Sequence, residues 1–158
     1  MILGNIGSES KMDYTSIGDI VNIASRIETL TKLYQTDILV TSELVDNLQF
    51  DHNSRFVDEV RVRGKQESVR LYEIFDHLND DEKEIRQSNV IPLKEGFTYY
   101  KEGEFQKAID IFKMIIDQKK KDSLPLLFAN RSINMLRNEN KEKRENWDGI
   151  FTIEEISK

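Results

Sequence analysis

The chain has 158 residues, of which 38% are hydrophobic and 33% charged, and its net charge is -6. This acidic balance argues against a nucleic-acid partner, because nucleic-acid binding needs a clustered basic surface. The chain has no cysteine, which excludes disulfides, thiolate metal sites and a cysteine nucleophile and favours a cytoplasmic location over secretion. No apolar run approaches the ~18 residues that a membrane span needs, and no signal peptide is visible.

The first predicted elements are a strand and a long amphipathic helix. Residues 1–7 read as a short strand, and because the chain opens directly on it we expect the chain to begin within a domain. Residues 18–34 are predicted to be helical. Asn22 and Arg26 lie four residues apart, so they are neighbours on one face of this helix. The apolar residues fall on another face: Ile17, Ile20, Val21, Ala24, Ile27, Thr31 and Tyr34.

A strand, a short helix and a hairpin are predicted next. Residues 37–40 read as a buried strand, and Thr41 begins the cap of a short helix. Residues 56–63 and 68–75 alternate between apolar and polar side chains, with a turn at 64–67 between them, so the two strands should pair as a hairpin. Strands and helices therefore mix as in an α+β or α/β fold.

A second unit follows a polar segment. Residues 77–90 are predicted to form a charged helical connector, and residues 91–138 a helical unit. Small residues at Gly96 and Ala108 and aromatic residues at Tyr99 and Phe112 form a pattern that resembles a tetratricopeptide repeat. Because one repeat cannot bury its own face, the unit should dock on the first domain, on a protein partner or on a second copy. Residues 139–158 are predicted to be a mobile tail, in which the single tryptophan, Trp147, should dock. The predicted helices of the unit span 92–100, 104–117 and 122–137.

Arg26 and Asn22 are the candidate site residues on chemical grounds. An arginine offers a planar fork of donors that matches a phosphate or a carboxylate, and an asparagine can orient a hydroxyl. The alternative is that Arg26 pairs with an acid such as Glu28 and that Asn22 is exposed. No residues match a metal-ligand pattern, since His52 and His77 are isolated and are expected at the surface.

Several ordered segments of residues 1–76 resemble the C-terminal half of a class III nucleotidyl cyclase domain. They are GNIGS from Gly4, DYTSIGDIVNIASR from Asp13, DILVT from Asp37, VRVRGK from Val60 and VRLYEI from Val69. The resemblance implies an α+β fold, half of a ferredoxin-like cyclase domain, followed by an all-α tetratricopeptide-like appendage. The Trp-Asp-Gly at 147–149 is similar to the tail that follows the cyclase domain in many bacterial adenylate cyclases.

The resemblance also implies roles for individual residues. Asn22 would orient the ribose of a nucleotide triphosphate, and Arg26 would stabilise charge on the α-phosphate as the 3′-hydroxyl attacks. Thr15 falls at a position that helps to select the base, and threonine there is like the adenylate-specific enzymes. Arg63 or Lys65, beside the predicted turn, would reach the β- and γ-phosphates, and the sequence does not choose between them.

The metal site of the family is not matched in this chain. Class III cyclases hold two divalent ions, Mg²⁺ or Mn²⁺, with a pair of aspartates in the N-terminal half of the domain, where the base-reading lysine also lies. Asp13 and Asp19 do not occupy those positions. Because the family's site lies between two head-to-tail subunits, the resemblance implies ATP bound in a composite site, within a cyclase homodimer or with a complementary cyclase half. The isolated chain is therefore expected to be inactive.

Two functions remain open from the sequence. The first is the C-terminal part of an adenylate cyclase, a lyase that converts ATP to cyclic AMP and pyrophosphate in intracellular signal transduction. Its parent protein could carry a membrane anchor upstream. The alternative is a non-catalytic regulatory or protein-interaction module derived from a cyclase, against which the intact Asn22–Arg26 pair argues.

Overall fold

The structure, a computed structural model, describes residues 30–62, 66–118 and 121–153. Residues 30–34 are helical and are called α1. The other elements are, in chain order, β1 (Leu39–Thr41), α2 (Ser42–Asp46), β2 (Ser54–Val62), β3 (Ser68–Ile74), α3 (Asp80–Lys101), α4 (Phe105–Asp117), α5 (Ser123–Leu136), a 3₁₀ turn (Asn138–Asn140), α6 (Lys141–Glu145) and β4 (Phe151–Ile153). This mixture of strands and helices agrees with the predicted α+β class. No described helix is both long and apolar enough to cross a membrane.

The described strands form one sheet in the order β1-β3-β2-β4. β2 and β3 pair antiparallel, which confirms the predicted hairpin. The regular alternation predicted for β2 is interrupted in the structure, because a bulge at Val57 shifts the register between Phe56 and Asp58. The bulge lets Val57 and Asp58 both be buried.

The predicted short strand and helix after α1 are both present. The strand is β1, which pairs antiparallel with β3 at the edge of the sheet. The side chain of Thr41 accepts a hydrogen bond from the backbone N–H of Leu44 and so caps α2, as expected. The predicted end of the long helix near residues 34–36 also agrees with the end of α1 at Tyr34.

Most of the predicted connector at 77–90 and the predicted helix at 92–100 belong to one continuous helix, α3. Residues 80–101 form a single helix, in which Pro92 lies in the interior rather than at the first turn. The side chain of Asn79 caps this helix at the N–H of Glu82, and three acidic residues in its first turn favour the positive end of the helix dipole. The capped, acidic first turn and the packing of Leu93 and Phe97 in the core together outweigh the loss of one backbone hydrogen bond at Pro92.

α3 and α4 form an antiparallel pair joined at Gly103, whose φ of +76° favours glycine. Close approach of the two helices requires Gly96, because a Cβ there would lie 2.5 Å from Cε1 of Phe112. α5 packs against α4 as the third helix. The resemblance of this unit to a tetratricopeptide repeat stays a prediction.

One hydrophobic core runs from the sheet into the helices. The aromatic ring of Phe56 on β2 meets that of Phe97 on α3 at 5.3 Å, and Phe97 meets Phe128 on α5 at 4.6 Å. Edge-to-face contacts of this kind add to the energy gained from burial. The helical unit therefore docks on this chain's own sheet, which is one of the arrangements predicted above.

The described part of the predicted tail is also folded. Residues 138–145 form the 3₁₀ turn and α6, and β4 returns to the sheet, where it pairs parallel to β2. Trp147 docks on Tyr100 and Phe105, as expected, and its indole N–H donates to the carbonyl of Tyr100 at 2.9 Å. The mobility predicted for residues 139–158 stays a prediction.

Candidate functional site

The five site residues predicted from the sequence lie outside the described residues. They are Asn22, Arg26, Thr15, Arg63 and Lys65. The structure does describe the elements next to them in the chain. α1 is the end of the predicted helix that carries Asn22 and Arg26, and β2 and β3 flank the segment that carries Arg63 and Lys65.

A buried polar cluster connects the end of α1 to β2 and to α5. The hydroxyl of Tyr34 donates to Oδ2 of Asp58 on β2 at 2.6 Å, and Nη1 of Arg131 on α5 donates to the same oxygen at 2.6 Å. Burial raises the pKa of Asp58, against the charge of Arg131 and the Tyr34 hydrogen bond. Ser123 adds a hydrogen bond from its hydroxyl to the carbonyl of Tyr34 at 3.0 Å. The end of α1 is thus held to both the sheet and the helical unit.

A second cluster joins the hairpin to α3. Oε1 of Glu59 accepts from the hydroxyl of Ser68 at 2.7 Å, and Oε2 accepts from Nζ of Lys101 at 2.7 Å. The hydrogen bond from Lys101 and the one from Ser68 hold the pKa of Glu59 below its ordinary value. Because Ser68 opens β3, this cluster ties both strands near the segment between them to the end of α3.

A third cluster, called here the ionic seam, lies between the sheet and the helical unit. It consists of Arg55 on β2, Glu73 on β3, Arg86 and Asn89 on α3, and Asp122 at the start of α5. Arg55 donates to Glu73 at 2.6 Å and, through both terminal nitrogens, to Asp122 at 2.6 and 2.9 Å. The side chains of Arg55, Glu73 and Asp122 are 2%, 2% and 1% exposed, so these charges are held out of water.

Mutual compensation explains how these charges are tolerated. Burial opposes the charge of Arg55, but its contacts with Asp122 and Glu73 outweigh that effect and raise the pKa of the guanidinium. Burial likewise opposes the charge of Asp122, but the hydrogen bonds from Arg55 and Asn89 leave the pKa of that carboxyl below its ordinary value. Two cations, Arg55 and Arg86, balance two anions, Glu73 and Asp122. The seam is therefore a neutral, interlocked connection between sheet and helices.

The lowered pKa of Asp122 predicts a dependence of stability on acid. Because the carboxylate is favoured in the folded chain, its contribution is present above the unfolded pKa of about 3.9 and is lost as the pH falls through the lower folded pKa. Asp122→Asn keeps an N-cap side chain but removes the charge. We expect the variant to be less stable by about 2 kcal/mol at pH 7, because Arg55 loses one charged partner and keeps Glu73.

Urea denaturation of both proteins between pH 7 and pH 2.5 checks this expectation. The difference in the free energy of unfolding between wild type and Asp122→Asn should shrink below about pH 4. The pKa of Asp58 is raised in the folded chain, so Asp58 affects the pH dependence of stability in the opposite direction to Asp122. Both proteins retain Asp58, and its effect therefore cancels in the difference between them. A difference that stays constant to pH 2.5 would contradict the role of the Asp122 charge.

The described residues offer no metal centre of their own. No group of three or more histidine, cysteine, aspartate or glutamate side chains in the described ranges could hold a metal ion. His77 lies beside Asp37, with Nε2 2.9 Å from Oδ2, and both side chains are solvent-accessible. Nδ1 of His52 lies 3.0 Å from the carbonyl oxygen of Phe50, and its ring lies edge-on to the Phe50 ring, so neither histidine belongs to a ligand set among the described residues.

The sequence analysis predicted none of the three clusters, although one of their members, Asp122, has a recognisable local signal. Asp122 could be found as the helix-start residue of α5, because an N-cap is a local signal. Arg55, Asp58 and Arg131 carry no such signal, since the partners of Arg55 and Asp58 on α5 lie 67 and 73 residues away in the chain. What these clusters do is hold α1 and the hairpin on one platform.

Comparison with known proteins relates the chain to adenylate cyclases. It is 32% identical over 139 residues to the terminal-differentiation specific adenylate cyclase of Dictyostelium discoideum. It is 44% identical over 77 residues to the adenylate cyclase of Anabaena cylindrica and 29% identical over 73 residues to adenylate cyclase 1 of Rhizobium meliloti. No protein-family model matches the chain, and no solved structure matches it. These similarities support a cyclase-related family.

The matches differ in how much of each chain they cover. The similarity to the Dictyostelium protein covers 86% of this chain, so it necessarily includes α3, α4 and most of α5. The Anabaena and Rhizobium matches cover 47% and 46% of this chain. The chain spans 6% of the Dictyostelium protein, 15% of the Anabaena protein and 11% of the Rhizobium protein. The helical unit thus has a counterpart in at least one relative.

Proposed function

We propose that this chain is the C-terminal part of an adenylate cyclase, which converts ATP to cyclic AMP and pyrophosphate. The observation that carries the proposal is the identity of 29–44% to three proteins named adenylate cyclase. The platform formed by the Tyr34–Asp58–Arg131 cluster and the hairpin supports it, because a composite site needs two rigidly related elements.

Within this proposal, each predicted residue acts on one part of the nucleotide. Asn22 orients the ribose, and Arg26 stabilises the charge that develops on the α-phosphate when the 3′-oxygen attacks it and pyrophosphate leaves. Thr15 contacts the base, and Arg63 or Lys65 binds the β- and γ-phosphates. A rigid α1 would fix the first pair of residues relative to the hairpin.

The divalent ions of the family do not fit the described residues, which contain no suitable group of ligands. We therefore assign no metal-dependent step to this chain. The proposal is that a second polypeptide, either a cyclase partner or a complementary half, supplies the metal carboxylates and the base-reading lysine. Under this proposal the isolated 158 residues bind nucleotide but do not produce cyclic AMP.

Titration of a non-hydrolysable ATP analogue tests the role of Arg26. Arg26→Ala is expected to weaken binding about 10- to 100-fold, the range for loss of hydrogen bonds to a charged group. Arg137→Ala is a matched control, because Arg137 is exposed and its nearest acid, on Glu139, lies 3.8 Å away. Equal affinities in wild type and Arg26→Ala would sink the phosphate role.

A second measurement addresses the requirement for a partner. The purified chain is incubated with ATP and either magnesium or manganese, and cyclic AMP is measured. No product is expected. Production of cyclic AMP by the chain alone would refute the composite site and would require ligands within these residues.

A further inference from the structure

The Trp-Asp-Gly segment near the C-terminus is not used by the proposed function, yet it is closely bound to the fold. The ring of Trp147 lies 5.1 Å from that of Tyr100 and 5.7 Å from that of Phe105, both edge-on. Its N–H donates to the carbonyl of Tyr100, in the last turn of α3. This carbonyl also accepts from the backbone N–H of Gly103 at 3.2 Å, so the indole is an additional donor that ties Trp147 to the end of α3.

Asp148 turns the chain and joins it to the sheet. Its Oδ1 accepts from the backbone N–H of Ile150 at 3.1 Å, and its Oδ2 accepts from Nη1 of Arg61 on β2 at 2.6 Å. Gly149 follows with a φ of +83°, and a Cβ there would lie 3.0 Å from the carbonyl oxygen of Lys101. Each residue of the Trp-Asp-Gly motif therefore has a separate structural task.

β4 then joins the free edge of β2. Phe151, Thr152 and Ile153 pair in parallel with Val60, Arg61 and Val62. Val62 is the last described residue before Arg63, so the paired end of β2 leads directly into the segment with the two predicted phosphate ligands. The other end of β4 is also held, because the guanidinium of Arg131 lies 3.6 Å from the centre of the Phe151 ring.

We propose that residues 147–153 form a latch that holds the far end of the hairpin against the helical unit, and that Trp147 and Asp148 are positioning residues for triphosphate binding. The first part rests on the contacts above. The second rests on the proposed function, because it needs Arg63 or Lys65 to bind phosphate. Without β4, the end of β2 would pair only with β3 and would fray more readily. Fraying there would make the positions of the residues that follow β2 less well defined.

Hydrogen exchange of backbone amides in the 158-residue chain tests the latch. Asp148→Asn keeps the acceptor for Ile150 but removes the charge opposite Arg61, and exchange at residues 60–62 should rise about two- to fivefold. Trp147→Ala should raise it at least about tenfold, since a large side chain is lost. Glu145→Gln is the matched control for Asp148→Asn, because Glu145 is exposed and, among the described residues, forms an ion pair only with Lys141 of its own helix, at 3.7 Å.

Unchanged exchange at residues 60–62 in both variants would overturn the latch. Asp148→Asn guards against the result that Trp147→Ala simply unfolds. Exchange in the buried residues of α4 serves as an internal standard, because it should change only if the whole chain is destabilised.

A test of the positioning role needs a measurement that a general loss of stability would not change. Affinities for inorganic triphosphate and for adenosine are measured in wild type and Asp148→Asn. Triphosphate binding should weaken severalfold while adenosine binding stays within error. Equal weakening of both, or of neither, would overturn the positioning role. If the wild-type chain does not bind triphosphate at all, the proposed function fails with the positioning role, and the exchange experiment still decides whether the latch exists.

Discussion

Arg55→Met is expected to lower the free energy of unfolding by about 3–5 kcal/mol, the cost of removing one partner from a buried ion pair. Methionine retains an unbranched apolar side chain but lacks the guanidinium, so the change removes the charge and all three hydrogen bonds that Arg55 donates to Glu73 and Asp122. Glu73 and Asp122 would be left with Arg86, which lies 3.2 Å from Glu73 and 3.8 Å from Asp122 and is more exposed than Arg55. Two nearly buried carboxylates would then share one peripheral cation, and this is the physical reason for the large effect.

Urea denaturation followed by far-UV circular dichroism gives the measurement. Arg137→Met is the matched control, because its side chain is 63% exposed and its ion pair with Glu139 spans 3.8 Å. That variant should change stability by less than about 0.5 kcal/mol. Similar losses in the two variants would mean that the seam is not the main connection between sheet and helices.

Phe112→Ala should cost about 3–5 kcal/mol, as for other buried aromatic side chains truncated to alanine. The ring is fully buried, and it lies 5.9 Å from the ring of Phe97 and 5.7 Å from that of Phe128. It also fills the space over Gly96. Its loss would leave a cavity at the point where α3, α4 and α5 meet.

Gly96→Ala connects this effect to the helix pair. In the wild-type background the new methyl group would meet Phe112 at 2.5 Å, and overpacking should cost about 1–3 kcal/mol. In the Phe112→Ala background the same change should be neutral or stabilising, because alanine favours a helix over glycine by about 1 kcal/mol. Additive effects in this double-mutant cycle would show that the two residues do not share one space.

Phe50→Ala is the control for both measurements. Phe50 is 64% exposed, so its truncation should change stability by less than about 0.5 kcal/mol. The fluorescence of the single tryptophan gives a second probe of unfolding, because Trp147 packs on Tyr100 and Phe105. Coincident transitions from both probes would justify treating the helices and the tail as one cooperative unit.

The chemical prediction and the structural scaffold come from different parts of the chain. Asn22, Arg26, Thr15, Arg63 and Lys65 lie outside the described residues, and their roles rest on the sequence resemblance. The described residues add what the sequence could not show, namely how the neighbouring elements are held. Tyr34, Asp58 and Arg131 hold α1, and the latch holds the end of β2.

The sequence by itself determined the elements whose signals are local. The β2–β3 hairpin, the cap at Thr41 and the helices α4 and α5 could all be read from alternation, helical spacing and capping residues a few positions apart. The tertiary structure alone decided that α3 continues through Pro92, that Arg55 meets Asp122, and that β4 completes the sheet. These features depend on packing and charge pairing between residues far apart in the chain, and such energies leave no periodic mark in the sequence.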